Sequence, residues 1–375
     1  MITRLRLSNF KAFQDAELDI NNLNLLTGLN GMGKSSLIQA LLLLRQSDAA
    51  SNAKENGLIL KGGREGLVDL GKGKDVYNIS AKDEYIRFEL DFEYTPFLDL
   101  AFRPEAGNDI LELETNYDNI FGGKMDLALF TDRFCYLKAE RTGPEHIYRA
   151  NVSAVRKHGF LGYRGENAPF YIAINRLEPL KLKQVAHPNA AADNLIENLN
   201  AWLSDITTGA HVNSTYYPEL DIVKVGYSYD MGKDITAEFS PVNVGYGFSY
   251  VLPVLTAVLA AEPGDLLIIE NPESHLHPRG QARLGHLFAK AADAGVQLFI
   301  ESHSDHLLNG IRVAVKKGDI SNEKVSVFYF ERGDNSEEHY TKISQPEIDA
   351  DGRLSHLPKG FFDEYASQLD FLIKE

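Results

Sequence analysis

Gly28-Leu29-Asn30-Gly31-Met32-Gly33-Lys34-Ser35-Ser36 is the stretch whose reading decides the fold. It fits the pattern G-x-x-x-x-G-K-S/T. Before it runs the apolar Leu23-Asn24-Leu25-Leu26, and from Lys34 to Arg45 follow residues with no Gly or Pro, apolar on nearly every side. The first reads as a strand and the second as a helix buried against a sheet. Strand, glycine turn, helix is the context in which this pattern cradles phosphate. The glycines let backbone N–H groups turn inward, and the helix start adds partial positive charge. Lys34 is placed for the β and γ phosphates, and Ser35 for a magnesium ion. Gly28, Asn30, Gly31, Gly33, Lys34, Ser35 and Ser36 are therefore the candidate nucleotide-binding set. A plain glycine-rich turn gives no reason for a Lys-Ser pair at that offset.

Such a site needs an acid at the end of a neighbouring buried strand. Leu266-Leu267-Ile268-Ile269-Glu270 supplies it, so Glu270 is the candidate second metal residue beside Ser35. Three positions on, Glu273 is near enough to polarise an attacking water. A third strand, Gln297-Leu298-Phe299-Ile300-Glu301, runs into Ser302-His303-Ser304, which puts His303 where it could reach a γ-phosphate or that water. Glu270, Glu273 and His303 form the candidate catalytic set. His275, His277, His303 and His306 raise zinc as an alternative, but no Cys is near and H-E-x-x-H is absent.

The rest of the chain bounds this reading. Its 375 residues, 44% hydrophobic and 24% charged, are enough for more than two domains at ~150 residues each and rule out a disordered chain or a rod. A net charge of −15 argues against a surface coated for nucleic acid. Small basic groups at Arg149, Arg156, Lys157, Arg164, Lys181 and Lys183 leave focused contact with DNA phosphates open beside the plain reading of a solvated face. The lone Cys135 excludes an internal disulfide. No apolar run reaches the ~18 residues of a membrane span, and the N-terminus lacks the apolar core of a signal peptide. A cytoplasmic location is expected, with no membrane partner. Alternation over Ile2–Leu7 and over Tyr85–Tyr94 predicts strands, the second with Ile86, Phe88, Leu90 and Phe92 on one face. Residues 139–190 read as loops around short elements. Spacing through Leu195, Ile196, Leu199, Trp202, Leu203 and Ile206 predicts a helix that opens a helical subdomain. From Gly247 onward, strands alternate with helices, as in a parallel sheet with crossovers.

Asn9-Phe10-Lys11-Ala12-Phe13, the glycine loop, IIENPESHLHP and IESHSDH together resemble the ABC-type ATPase heads of the RecF, SMC and overcoming-lysogenisation-defect (OLD) proteins. ENPESHLHPRGQ, the Ala139–Pro144 segment and Gly360-Phe361-Phe362-Asp363 look like a prokaryotic subgroup of stand-alone OLD-like ATPases. The resemblance implies an α/β P-loop NTPase of ABC-ATPase head type, with a mostly parallel core sheet, an antiparallel β lobe and a helical subdomain. One discontinuous head would span 1–375. Its P-loop part would be 1–56, the β lobe 57–138, the insertion and helical subdomain 139–245, and 246–375 the part carrying the Walker B strand and His303. The ~70 residues after His306 are too few for the nuclease domain that OLD proteins often carry.

Such heads form dimers, or larger oligomers, with ATP and Mg²⁺ sandwiched between the glycine loop of one subunit and a signature segment of the other. The signature position falls at Asn243–Tyr250, making Gly245, Gly247 and Ser249 the candidate contacts to a partner's nucleotide. In place of the family's Asp-Glu-Pro stands Glu270-Asn271-Pro272, and an Asn cannot be a general base. Either Glu273 takes that role and hydrolysis is slow, or nucleotide binding alone does the work. The implied function is a regulatory ATPase that controls a separately encoded effector in a prokaryotic antiphage or toxin-like module. A RecF-like clamp on DNA and a non-hydrolysing ATP-gated scaffold are the alternatives. Arg141 is a candidate nucleotide or interface contact.

Overall fold

The structure, a computed structural model, describes residues 1–49, 57–63, 66–94, 97–114, 127–232, 234–332, 341–356 and 364–373. The Gly360–Asp363 segment lies outside them. The chain divides into two compact units. One comprises Met1–Thr131, Ser326–Glu347 and Leu354–Glu375, the other Asp132–Val325 and Ile348–Arg353.

In the first unit an antiparallel sheet has the strand order Phe13–Asp19, Ile2–Phe10, Ile86–Phe92, Leu98–Arg103, Ile110–Leu113, Leu58–Ile59. Ile86, Phe88, Leu90 and Phe92 are all buried, so the alternation marked the core face. In the first strand Ile2, Leu5 and Leu7 are buried, which strict alternation forbids for Ile2 and Leu5 together. An irregularity in register between Ile2 and Arg4 resolves it, because an extra residue rotates the chain onto its other face. The same unit holds the strand Leu23–Gly28 beside the strand Val325–Arg332, itself antiparallel to Thr341–Ser344. Out of Leu23–Gly28 comes the helix Lys34–Ala49, in which Leu37, Ile38, Ala40, Leu41, Leu42 and Leu43 are all fully buried. A helix apolar on every side has to be enclosed.

In the second unit the strands Phe134–Leu137, Leu266–Glu270 and Gln297–Glu301 run parallel with Leu266–Glu270 in the middle, aligning Glu270 with Glu301 and Ile269 with Leu137. Strands buried on both faces read as unbroken apolar runs, which is why these were legible. The helices Pro278–Asp293 and Asp305–Lys317 pack closely because Gly285 faces the Leu307 carbonyl and Gly310 faces that of Ala282, where a Cβ would come within 2.2 and 2.1 Å of the oxygens. The predicted helix runs from Leu195 to Ile206, its start capped by Asn194, whose Oδ1 accepts from Glu197 N at 3.0 Å. All six of its predicted apolar residues are buried. Leu199→Ala should destabilise the protein by ~2–5 kcal/mol in chemical denaturation, the cost of a cavity at a fully buried leucine.

The short elements expected within 139–190 include the helices Val152–His158 and Ala168–Asn175, at 7 and 8 residues too short to build a period. The expected helical subdomain also carries an antiparallel hairpin, Ala210–Tyr217 with Ile222–Met231, flanked by Tyr148–Arg149 and Asp234–Ile235. Its inward positions include the polar Ser214, whose hydroxyl donates to Pro169 O at 2.7 Å. A core position filled by serine is invisible to a hydrophobic pattern.

Candidate nucleotide site

The phosphate loop belongs to the first unit. Gly28 leaves its strand at φ 128, where an added Cβ would lie 2.2 Å from Phe330 O, the oxygen that also accepts from Leu29 N at 3.1 Å. Gly31 and Gly33 follow at φ 74 and φ 96. Gly28→Ala adds a methyl against backbone in a conformation L-residues avoid. Its thermal midpoint should fall by several degrees, at a strain of roughly 1–3 kcal/mol or more. Asn9–Phe13 braces the loop, since Ala12 Cβ and the Phe13 ring sit within about 3.2 Å of where a Gly33 Cβ would be. Lys34 is 4% exposed, and its Nζ donates to Gly28 O at 3.0 Å and Leu29 O at 2.8 Å. Asn30 and Ser35 are exposed, and Ser36 is buried. The helix start therefore offers N–H groups, a cation and a hydroxyl along one exposed turn.

The acids belong to the second unit. Glu270 ends its strand with each carboxylate oxygen accepting one hydrogen bond, from Tyr136 Oη at 2.9 Å and from Ala139 N at 3.1 Å. Burial, and then the charge of Glu270, push the Tyr136 hydroxyl well above the ordinary tyrosine range, so it stays a donor. Asn271 takes φ 43, and its N donates to Glu301 O at 2.8 Å. Glu273 Oε1 accepts from His303 N at 2.9 Å, while Glu273 Oε2 and Asn271 Oδ1 are buried with no partner among the described residues. The structure thus joins Glu273 to the His303 loop through the main-chain N–H of His303. Arg141 is 1% exposed and donates to Asn271 O at 3.0 Å and Glu270 O at 2.5 Å. Burial pulls its pKa down to about 10 against the opposing pull of Glu273 and Glu270, so it is a cation at neutral pH. Sequence reasoning missed Tyr136 and Ala139 as partners of Glu270. A tyrosine one residue from the end of a strand beside the acidic strand was the available signal.

The four histidines do separate things. His275 stacks edge-on against Tyr250 at 4.8 Å, His277 caps the helix Pro278–Asp293, His303 is exposed, and His306 lies 3.5 Å from Asp305. Among the described residues, no three or more His, Cys, Asp or Glu gather as a metal cluster. At the signature-like segment the helix Tyr246–Ala260 starts from Gly245. Gly245 is exposed and Gly247 packs on the His275 carbonyl, where a Cβ would come within 2.7 Å. Ser249 is buried facing Tyr148 and Tyr227, so its hydroxyl points into this unit rather than outward. Of the basic groups, Arg164 pairs with Glu140 at 2.9 Å and Lys183 with Asp193.

Taken unit by unit, the chemistry of these residues suits phosphate at the glycine loop and a magnesium ion at the carboxylates. In the loop, the side Gly31 would fill with a Cβ is open to phosphate oxygens, with nothing within 4 Å, and in the second unit Glu270 keeps unused lone pairs. Magnesium commonly takes one or two carboxylates and completes its shell with phosphate and water, so a dense protein cluster is not required.

Comparison with known proteins agrees. Residues 1–140 match the family described as "AAA ATPase domain", residues 136–309 the family described as "AAA domain, putative AbiEii toxin, Type IV TA system", and residues 320–372 "Protein of unknown function (DUF3696)". No curated protein matches the chain. Among solved structures, an Smc head bound to the C-terminal winged-helix domain of ScpA is 12% identical with a TM-score of 0.52, covering 92% of this chain and 98% of its own. An Smc head with an extended coiled coil, bound to the C-terminal domain of ScpA derived from Pyrococcus furiosus, is also 12% identical at TM-score 0.52, covering 100% and 99%. The fold is therefore that of an SMC head, of ABC-ATPase type. Two ATPase family models thus match successive parts of a chain that has this fold. Among the described residues no helix is long and apolar enough to cross a membrane.

Proposed function

We propose that the chain is a slowly hydrolysing regulatory ATPase that dimerises around ATP and controls a separately encoded effector in a prokaryotic defence or toxin-like module. The turn Glu270–Glu273 carries this reading. Asn271 stands where a catalytic carboxylate is expected, and Glu273 presents one oxygen without a partner. In the proposed roles, Gly28, Asn30, Gly31, Gly33, Lys34 and Ser36 bind the phosphates, while Ser35 and Glu270 hold magnesium. Bound there, the ion would neutralise phosphate charge. Glu273 Oε2 takes a proton from the attacking water, and His303, on the loop tied to Glu273 Oε1, orients it. Gly245 and Gly247 offer the N–H groups of their helix start to a partner subunit's nucleotide. A base displaced by two residues from the usual place makes turnover slow and the ATP-bound state long-lived, which suits a switch.

Support for the module comes from the toxin–antitoxin family matched over residues 136–309. Support for a separate partner protein comes from the solved heads that hold ScpA domains. The carboxylates paired with Arg164 and Lys183 weaken the case for a DNA clamp. Mass and phosphate release should be measured together for the chain with ATP and Mg²⁺, with and without DNA. A dimer that forms on ATP and turns over slowly without DNA stimulation is expected. Salt-sensitive stimulation by DNA would favour the clamp instead, and a dimer with no phosphate release would favour the scaffold.

A further inference from the structure

Arg141 leads the fully buried side chains in size, and both of its hydrogen-bond partners are main-chain oxygens. Enclosing a guanidinium is costly, and as a source of stability it is commonly no better than a well-packed apolar side chain. Its placement points elsewhere. The two oxygens it bridges are the successive carbonyls of Glu270 and Asn271, which match the planar fork of an arginine. Asn271 precedes Pro272, and a proline biases the residue before it toward extended backbone. Asn271 sits instead at φ 43, in the left-handed region, which asparagine tolerates better than most residues but which still departs from the extended backbone a following proline favours. Such residues persist where their surroundings over-determine them. Here the surroundings are Arg141 on the Asn271 carbonyl and Glu301 O on its N–H. The direction in which the chain leaves Asn271 decides where Glu273 goes, and so whether it meets His303 N.

We propose that Arg141 is a positioning residue for ATP hydrolysis, clipping the Glu270 and Asn271 carbonyls so that the turn delivers Glu273 in its reactive orientation. The proposal rests on the reading of Glu273 as the base. Because Arg141 touches the turn from inside and the phosphate loop is built from other residues, its loss should fall on the chemical step and spare ATP binding.

The test takes the full chain with Arg141→Ala, Arg141→Lys and Glu273→Gln. It measures kcat and KM with ATP and Mg²⁺, equilibrium binding of a fluorescent ATP analogue, and the rescue of kcat by low-millimolar guanidinium. For Arg141→Ala, kcat should fall ~10–100-fold, as expected for misplacement of a reacting group, with affinity for the analogue unchanged. Guanidinium should recover part of the rate. Arg141→Lys keeps charge and bulk but cannot bridge two carbonyls with a fixed fork, so it should fold yet show the same loss with affinity unchanged. Should Arg141→Ala not fold, this variant alone decides. Wild-type kcat in Arg141→Lys, or a kcat that falls only in step with nucleotide affinity and is not rescued, overturns the proposal. Wild-type turnover in Glu273→Gln instead sinks the reading on which it rests, whatever the Arg141 variants do.

Discussion

Lys34→Ala loses nucleotide binding and turnover together. In the present structure the Lys34 ammonium is almost enclosed and spans the loop, donating to the carbonyls of Gly28 and Leu29. An enclosed ammonium that donates to neutral carbonyls can exchange them for charged phosphate oxygens, with which its hydrogen bonds are stronger. Hydrogen bonds to a charged group are worth ~1.5–3 kcal/mol each, so losing one or two should weaken ATP binding by roughly 10²-fold or more. Without nucleotide the variant also loses the bonds to the Gly28 and Leu29 carbonyls, so its thermal midpoint should fall somewhat, and the site is read from the gain on adding ATP. Titration with a fluorescent ATP analogue, read beside thermal melts with and without ATP, checks this. A variant that still gains stability from ATP as wild type does would remove Lys34 from the site.

Glu273→Gln should behave in the opposite way, keeping ATP and losing the reaction. Glutamine preserves an oxygen to accept from His303 N, so the tie between the turn and the His303 loop survives while the basic oxygen disappears. Removing a general base costs ~10²–10⁴-fold in rate, and a loss of that size in single-turnover phosphate release is the expected result. Nucleotide affinity and ATP-dependent mass should be unchanged. Glu273→Ala removes the acceptor too and should additionally loosen residues 302–305, visible as faster amide exchange at His303. If Gln and Ala variants hydrolyse ATP at the wild-type rate, catalysis lies elsewhere and Asn271 must be reconsidered with it.

Where elements are long or buried on both faces, they were legible. The glycine loop and the three apolar strands sit within a residue or two of their expected bounds, because enclosure demands unbroken apolar sequence. The helix Leu195–Ile206 was legible through its amphipathic period. The hairpin Ala210–Met231 was not, since tyrosines and small polar residues fill it, and the helices within 139–190 were too short to show a period. At the site, residue types were legible and partnerships were not. His303 could be named from its place after a strand, but that its main-chain N–H meets Glu273 depends on a turn thirty residues away in sequence.

By itself, the sequence determined an α/β chain with a glycine loop of phosphate-binding pattern, acids at strand ends and an asparagine where a base is expected. Those are facts of residue type and spacing, written in local pattern. Tertiary structure alone decided which oxygen of Glu273 is free, that Tyr136 and Ala139 occupy Glu270, that Ser249 turns inward, and that Arg141 is locked under the Glu270–Asn271 turn. The physical reason is that hydrogen-bond partnership and burial are relations between segments far apart in the chain, and no local period encodes them.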